Sequence, residues 1–157
     1  MNALPAKIPA GLLVAASLVA SAEATQAQEE WIQPLTECGG LALVLQLRAR
    51  EAAEAGEPTA QEFYQSALAL FFQSLRLTSD VTECARPYEA VYDAMLDHGN
   101  AIRADYVAEL ENGASPSDID TDIIQRVQQC RQTLGFETLM SAQGRIARDG
   151  VGCGWQP

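Results

Sequence analysis

Apolar residues recur along this chain at intervals of three and four, and no segment shows the period of two that marks a half-buried strand. The spacing therefore predicts helices throughout. The first runs from Gln33 to Ala55, with Pro34 in its first turn and Leu35, Cys38, Leu41, Ala42, Leu45, Ala49 and Ala52 on one stripe. Gly56 is its natural stop. Gly39 and Gly40 lie inside this helix, each costing about 1 kcal/mol relative to alanine. Close approach of a neighbouring helix is the simplest reason to carry them.

The second helix opens on Thr59-Ala60-Gln61-Glu62, the pattern of a capping box. Phe63, Tyr64, Ala67, Leu68, Leu70, Phe71, Phe72, Leu75 and Leu77 cover about 200° of its wheel. A helix so apolar is either central in a bundle or covered by another chain. A loop over 78–86 carries Cys84, and Pro87 opens a third helix whose face holds Tyr88, Val91, Tyr92, Met95, Gly99, Ile102, Tyr106 and Leu110. That helix ends at Asn112-Gly113. Ser115-Pro116-Ser117-Asp118 caps the fourth, with Ile119, Ile123, Val127, Cys130 and Leu134 inward and Gly135 at its end. A short fifth helix spans about Glu137 to Arg148, and a glycine-rich tail follows, held by Cys153 and Trp155. The expected fold is all-α: a single-domain antiparallel bundle of four main helices plus a short C-terminal helix, stapled by disulfides.

The start of the chain reads differently. Lys7 is a positive n-region, Ala10 to Ala20 an apolar h-region, and Ala22-Glu23-Ala24 a small-x-small cleavage pattern. Eleven apolar or small residues fall well short of the roughly 20 that span a bilayer. Residues 1–24 are therefore expected to be a cleaved signal peptide, with Ala27 as the alternative cut, and residues 28–157 the helical domain with its irregular tail. The expected location is the periplasm or the outside of the cell, with no membrane span after cleavage.

That compartment decides how the sulfur is read. Cys38, Cys84, Cys130 and Cys153 include no Cys-x-x-Cys pair and no zinc-ligand spacing. In an oxidising space they are staples. An antiparallel bundle brings the early first helix, the end of the second and the end of the fourth to one side. This favours Cys38–Cys130 with Cys84–Cys153 over Cys38–Cys84 with Cys130–Cys153.

Charge narrows the partners. The chain has 10 Lys and Arg against 21 Asp and Glu, a net charge of −11. Such a surface repels phosphate backbones and anionic lipid, so nucleic acid is excluded as a partner and a basic protein is permitted. No chemistry assembles from the motifs. His98 is the sole histidine, read as a boundary residue paired to a carboxylate; no metal or other cofactor is expected. Asp118-Ile119-Asp120-Thr121-Asp122 begins like a calcium loop, but Ile123 stands where glycine is needed and Gln129 where a glutamate should be. No nucleophile elbow, His-Glu-x-x-His or phosphate loop is present, so the catalytic set is empty and a non-enzyme is expected.

With one cysteine early in the first helix (Cys38, in CGGLALV) and one in the last main helix (Cys130, in CRQTL), the mature domain is similar in build to small exported bacterial helical proteins. Helical periplasmic immunity proteins that neutralise cell-wall amidases share this look. The likeness carries over no functional residue. The leading expectation is a small acidic exported interaction module, of inhibitor, immunity or assembly-accessory type, binding a protein partner or a second copy through a face of Gly39, Gly40, Phe63, Leu70, Phe72 and Leu77. The alternative is a carrier of a small hydrophobic ligand in a pocket lined by Tyr64, Phe71, Tyr88, Tyr92 and Tyr106.

Overall fold

The computed structural model describes residues 11–155, with side chains from residue 29 onward. Among the described residues it contains five helices and no strand: α1 (Gly11–Glu54), α2 (Ala60–Val81), α3 (Tyr88–Glu111), α4 (Pro116–Leu134) and α5 (Phe136–Asp149). The n-region Lys7 and the first residue of the expected h-region lie outside the described residues. No described helix is long and apolar enough to cross a membrane.

α1 begins at Gly11, not at Gln33, and Pro34 lies inside it. The stretch before the proline is rich in alanine, glutamine and glutamate, which favour helix strongly enough to carry it across one missing backbone donor. α2 also runs further than its sequence pattern suggests. Thr78 to Val81 are helical rather than loop, and the Thr78 and Thr82 hydroxyls are satisfied within the helix by donating to the Ser74 and Thr78 carbonyls, each at 2.8 Å. Gln73, Ser74, Thr78, Ser79 and Thr82 are buried although polar, and the Ser74 hydroxyl has no hydrogen-bond partner among the described residues. The capping box does not form. Thr59 takes a helical conformation and its side chain caps nothing, while its carbonyl accepts from Glu62 and Phe63. The Ser115 cap does form, its hydroxyl accepting from the Asp118 N–H at 3.1 Å.

Helix α1 is the hub: α2, α3 and α4 all pack on it, and α5 packs on α2 and α4. The centre is therefore α1 rather than α2, whose apolar arc allows either a central place or cover by another chain. That wide apolar arc is nevertheless covered from within, by α1 on one side and α5 on another, with Leu70 and Leu75 fully buried. The core stripes of α1, α3 and α4 are inside as their spacing predicts, apart from Ala52, Tyr88, Tyr92 and Cys130, which are half-buried, and Leu110, which is exposed near the end of α3.

Cys38 is bonded to Cys130 and Cys84 to Cys153, with Cα separations of 5.6 and 5.3 Å. The first ties α1 to α4. The second folds the tail back onto the end of α2, where Val151 is buried and its carbonyl accepts from the Ser79 hydroxyl at 3.0 Å. Arg76 donates to the Gly150 carbonyl at 3.1 Å. The tail is thus held by more than its cysteine and tryptophan.

Candidate functional site

The residues expected to form a binding face do not share an exposed surface. Gly39 and Gly40 lie under α3: a Cβ on Gly40 would stand 2.6 Å from the Met95 carbonyl oxygen and 2.9 Å from the Gly99 nitrogen. The two glycines serve helix packing, and Gly99 answers Gly40 from the other side. Leu70 and Leu77 are buried in the core, and Phe72 is half-buried against Phe71, with ring centroids 5.5 Å apart. Only Phe63 reaches solvent, at 38% exposure. Burial of α2 by α1 and α5 leaves no continuous apolar face on it.

The expected aromatic pocket is divided as well. Phe71, Tyr88 and Tyr92 cluster with Trp155 of the tail: Tyr88 stacks on Tyr92 at 5.7 Å and lies 5.9 Å from Trp155, and Phe71 meets Tyr92 edge-on at 6.1 Å. These rings fill space between α2, α3 and the tail as packed core. Burial pushes the Tyr88 phenol above its ordinary pKa, with Tyr92 and Glu89 adding to the shift. Tyr64 is half-buried on α2. Tyr106 is on the far part of α3, where its hydroxyl donates to Asp122 Oδ2 at 2.8 Å and the Arg126 guanidinium lies 5.8 Å from its ring. Burial first, and then the Asp122 hydrogen bond, raise its pKa.

The three carboxylates of the failed calcium loop go separate ways. Asp118 is exposed in the first turn of α4, Asp120 holds Arg48, and Asp122 holds Tyr106 and Arg126. His98 is half-buried beside Gly40 and makes no carboxylate hydrogen bond among the described residues, in contrast to the pairing expected of it.

Two hollows flank α1. One, of about 430 Å³, is lined mainly by polar groups between α1, α3 and α4, including Glu37, His98, Arg126 and Gln129, with the Cys38–Cys130 bridge in its wall. Its guanidinium is already committed to Asp122 at 3.1 Å. The other, of about 310 Å³, opens where the last turns of α1 meet the start of α2 and the first half of α4. Its walls are apolar, from Leu45, Ala49, Ala52, Phe63, Ile123 and Ile124, and its rim is charged, from Arg48, Glu51, Glu57 and Asp120.

The sequence places the walls of this second hollow without revealing it. Ala49, Ala52 and Ala55 give α1 a low surface where α4 would otherwise pack, and the small side chains leave volume between the helices. Arg48 spans the gap. Its Nε and Nη2 donate to Asp120 Oδ1 at 3.0 and 2.8 Å, and its Nη1 to Glu51 Oε2 at 2.9 Å. Burial works against the Arg48 charge, but the bond to Asp120 and the two nearby carboxylates outweigh it and raise its pKa. The cleft is a preformed apolar slot with an ionic gate, suited to holding an apolar group. Of the expected face residues, only Phe63 belongs to it. No family model matches the chain, and no curated protein or solved structure does either.

Proposed function

We propose that this chain is an exported, non-enzymatic interaction module that captures a protein partner through the cleft between α1, α2 and α4. The observation that carries the reading is the pairing of an apolar floor (Ala52, Phe63, Ile123, Ile124) with a charged rim (Arg48, Glu51, Glu57, Asp120) in one half-open slot. Interfaces concentrate their energy in such places, where a buried apolar anchor is ringed by polar groups that exclude water. Export is supported by the leader pattern of residues 1–24 and by the two disulfides, which persist in oxidising compartments. The negative net charge favours a basic partner, brought in at a rate that falls as salt is added.

A second reading has one observation in its favour. A volume of about 310 Å³ reaches the lower end of the range for small-ligand pockets, so the same slot fits a small hydrophobic molecule. One pair of proteins separates the readings. Ala52→Trp fills the slot from the half-buried end of the α1 stripe, leaving the fully buried stripe residues in place. Tagged wild type and Ala52→Trp, each shown folded by circular dichroism, are exposed to the producing cell's own exported proteins. A protein retained by wild type and lost with Ala52→Trp supports the interaction role. Retention that ignores the substitution rejects this cleft as the docking site. An organic molecule released from native wild type on denaturation, and absent from Ala52→Trp, favours the carrier.

A further inference from the structure

The end of α1 is closed by a Schellman turn. The Glu57 N–H bonds the Ala52 carbonyl at 3.0 Å, the Gly56 N–H bonds the Ala53 carbonyl at 3.0 Å, and Gly56 takes a φ of 82°. In this motif the residue after the glycine normally lays an apolar side chain on the helix residue five before it. Here that residue is a glutamate, and the residue it would cover is Ala52; both line the cleft. The turn therefore leaves its usual apolar contact unmade and sets a carboxylate beside an open apolar slot.

The remaining rim charges, one guanidinium and two carboxylates, are bound to one another. Arg48 is occupied by Asp120 and Glu51. Glu57 has no side-chain hydrogen bond or ion pair among the described residues. The rim thus presents an internally neutralised guanidinium and a free carboxylate, so an occupant meets net negative charge.

Resting on the assignment of this cleft as the docking site, we propose that it seats a partner segment in which an apolar side chain stands next to a lysine or arginine. The apolar group makes the contact on Ala52 and Phe63 that the turn lacks, and the cation meets Glu57. An anionic or purely apolar segment gains only part of this.

The test uses amide shifts of the ¹⁵N-labelled protein with three probes of equal chain length: n-hexylammonium, 1-hexanol and hexanoate. All act at the amides of residues 45–57, 63 and 120–124. Hexylammonium is expected to bind about two- to fivefold more tightly than hexanol, the range of an exposed ion pair, and hexanoate more weakly. Glu57→Gln, at an exposed and unpaired side chain, is expected to remove most of the hexylammonium preference without altering hexanol. A peptide pair, acetyl-Leu-Lys-Leu-amide and acetyl-Leu-Gln-Leu-amide, is expected to show the same lysine preference. Equal binding of the three probes at the cleft overturns the cation selectivity and leaves the docking site standing. Shifts elsewhere, or none, overturn the docking site itself. A hexylammonium preference without a lysine-peptide preference overturns the protein segment and assigns the slot to a free amine.

Discussion

The two sides of α1 are built from similarly small residues and do opposite things. Toward α3, Gly39 and Gly40 meet Met95 and Gly99 so closely that no Cβ fits at Gly40 without moving backbone. Toward α4, Ala49 and Ala52 meet the larger Ile123, Ile124 and the Arg48–Asp120 pair, and a slot of about 310 Å³ stays open between them. Small residues on one helix permit contact but do not impose it. Contact follows where the opposing helix is small as well; where the opposing side chains are bulky or tied in an ionic bridge, the same low surface becomes a cavity. One side is a seam and the other a site.

The strongest way to break this comparison is to release α4 from α1. It is held at Cys38–Cys130 and again at Arg48–Asp120, ten residues away on each helix, or about 15 Å along α1. Cys38→Ser with Cys130→Ser opens a 92-residue loop, and chemical denaturation is expected to show a loss of about 4 to 5 kcal/mol in the chain-entropy account. Cys84→Ser with Cys153→Ser opens a loop of similar size but frees only the tail, which frays in the folded state too. Its cost is expected to be about half as great.

The next test addresses the seam. Gly40→Ala sets a methyl against α3 backbone and is expected to cost about 1 to 3 kcal/mol. Gly39→Ala meets the flexible Met95 side chain instead of backbone. Helix propensity returns up to about 1 kcal/mol there, so thermal unfolding of Gly39→Ala should lie much closer to wild type. Equal losses at the two positions would show that the seam is not set by backbone contact.

On the open side the effects are smaller. Asp120→Ala removes the main acceptor of Arg48, in a pair whose side chains are 36% and 47% exposed, and should cost about 1 kcal/mol or less. Because it unfastens the gate, hexanol binding should change more than the melting temperature does. The smallest effect is alkaline. Burial raises the Tyr88 and Tyr106 pKa values above 10, Tyr106 further than Tyr88. The unfolded chain ionises these phenols near pH 10 while the folded chain holds them neutral. Their contribution is therefore whole below pH 10 and declines as pH rises from there through the folded-state values. Absorbance at 295 nm should show Tyr88 and Tyr106 ionising late, and Asp122→Asn should bring Tyr106 earlier.

Much of the fold is legible before any coordinate. Ser115-Pro116, Gly135 and Asn112-Gly113 mark helix ends that the structure keeps, and the stripe from Ile119 to Leu134 lies inside as its spacing requires. The bundle geometry also places the cysteines correctly, because antiparallel helices bring Cys38 and Cys130 to one level. Three readings failed for one physical reason: a local pattern states what a segment can do, and a neighbour decides what it does. Thr59 has a capping residue's chemistry, yet the turn over 57–60 holds it in a helical conformation that points its hydroxyl away from the orphan donors. Thr78 and Ser79 look like loop, yet the tail and α1 cover them as helix. Leu110 keeps the spacing of the α3 core stripe, but it stands near the end of a helix that packs chiefly on α1, and nothing covers it.

The candidate site was the least legible. Of its lining residues, only Phe63 belonged to the interaction face expected from the sequence. Glu57, Arg48 and Asp120 are ordinary surface charges in an acidic sequence, and they acquire meaning only from the 72-residue separation that the fold closes between Arg48 and Asp120. By itself, the sequence determined helix formation, the ends of most helices and the acidic charge, because each of these depends on spacing along the chain or on composition. It favoured one pairing of the four cysteines, which the fold then fixed. Only the tertiary structure decided that α1 is the hub, that its glycines make a seam and its alanines a slot, and that one carboxylate at the rim is left unpaired. Those outcomes depend on the volumes and charges of residues far apart in the chain, which no local pattern encodes.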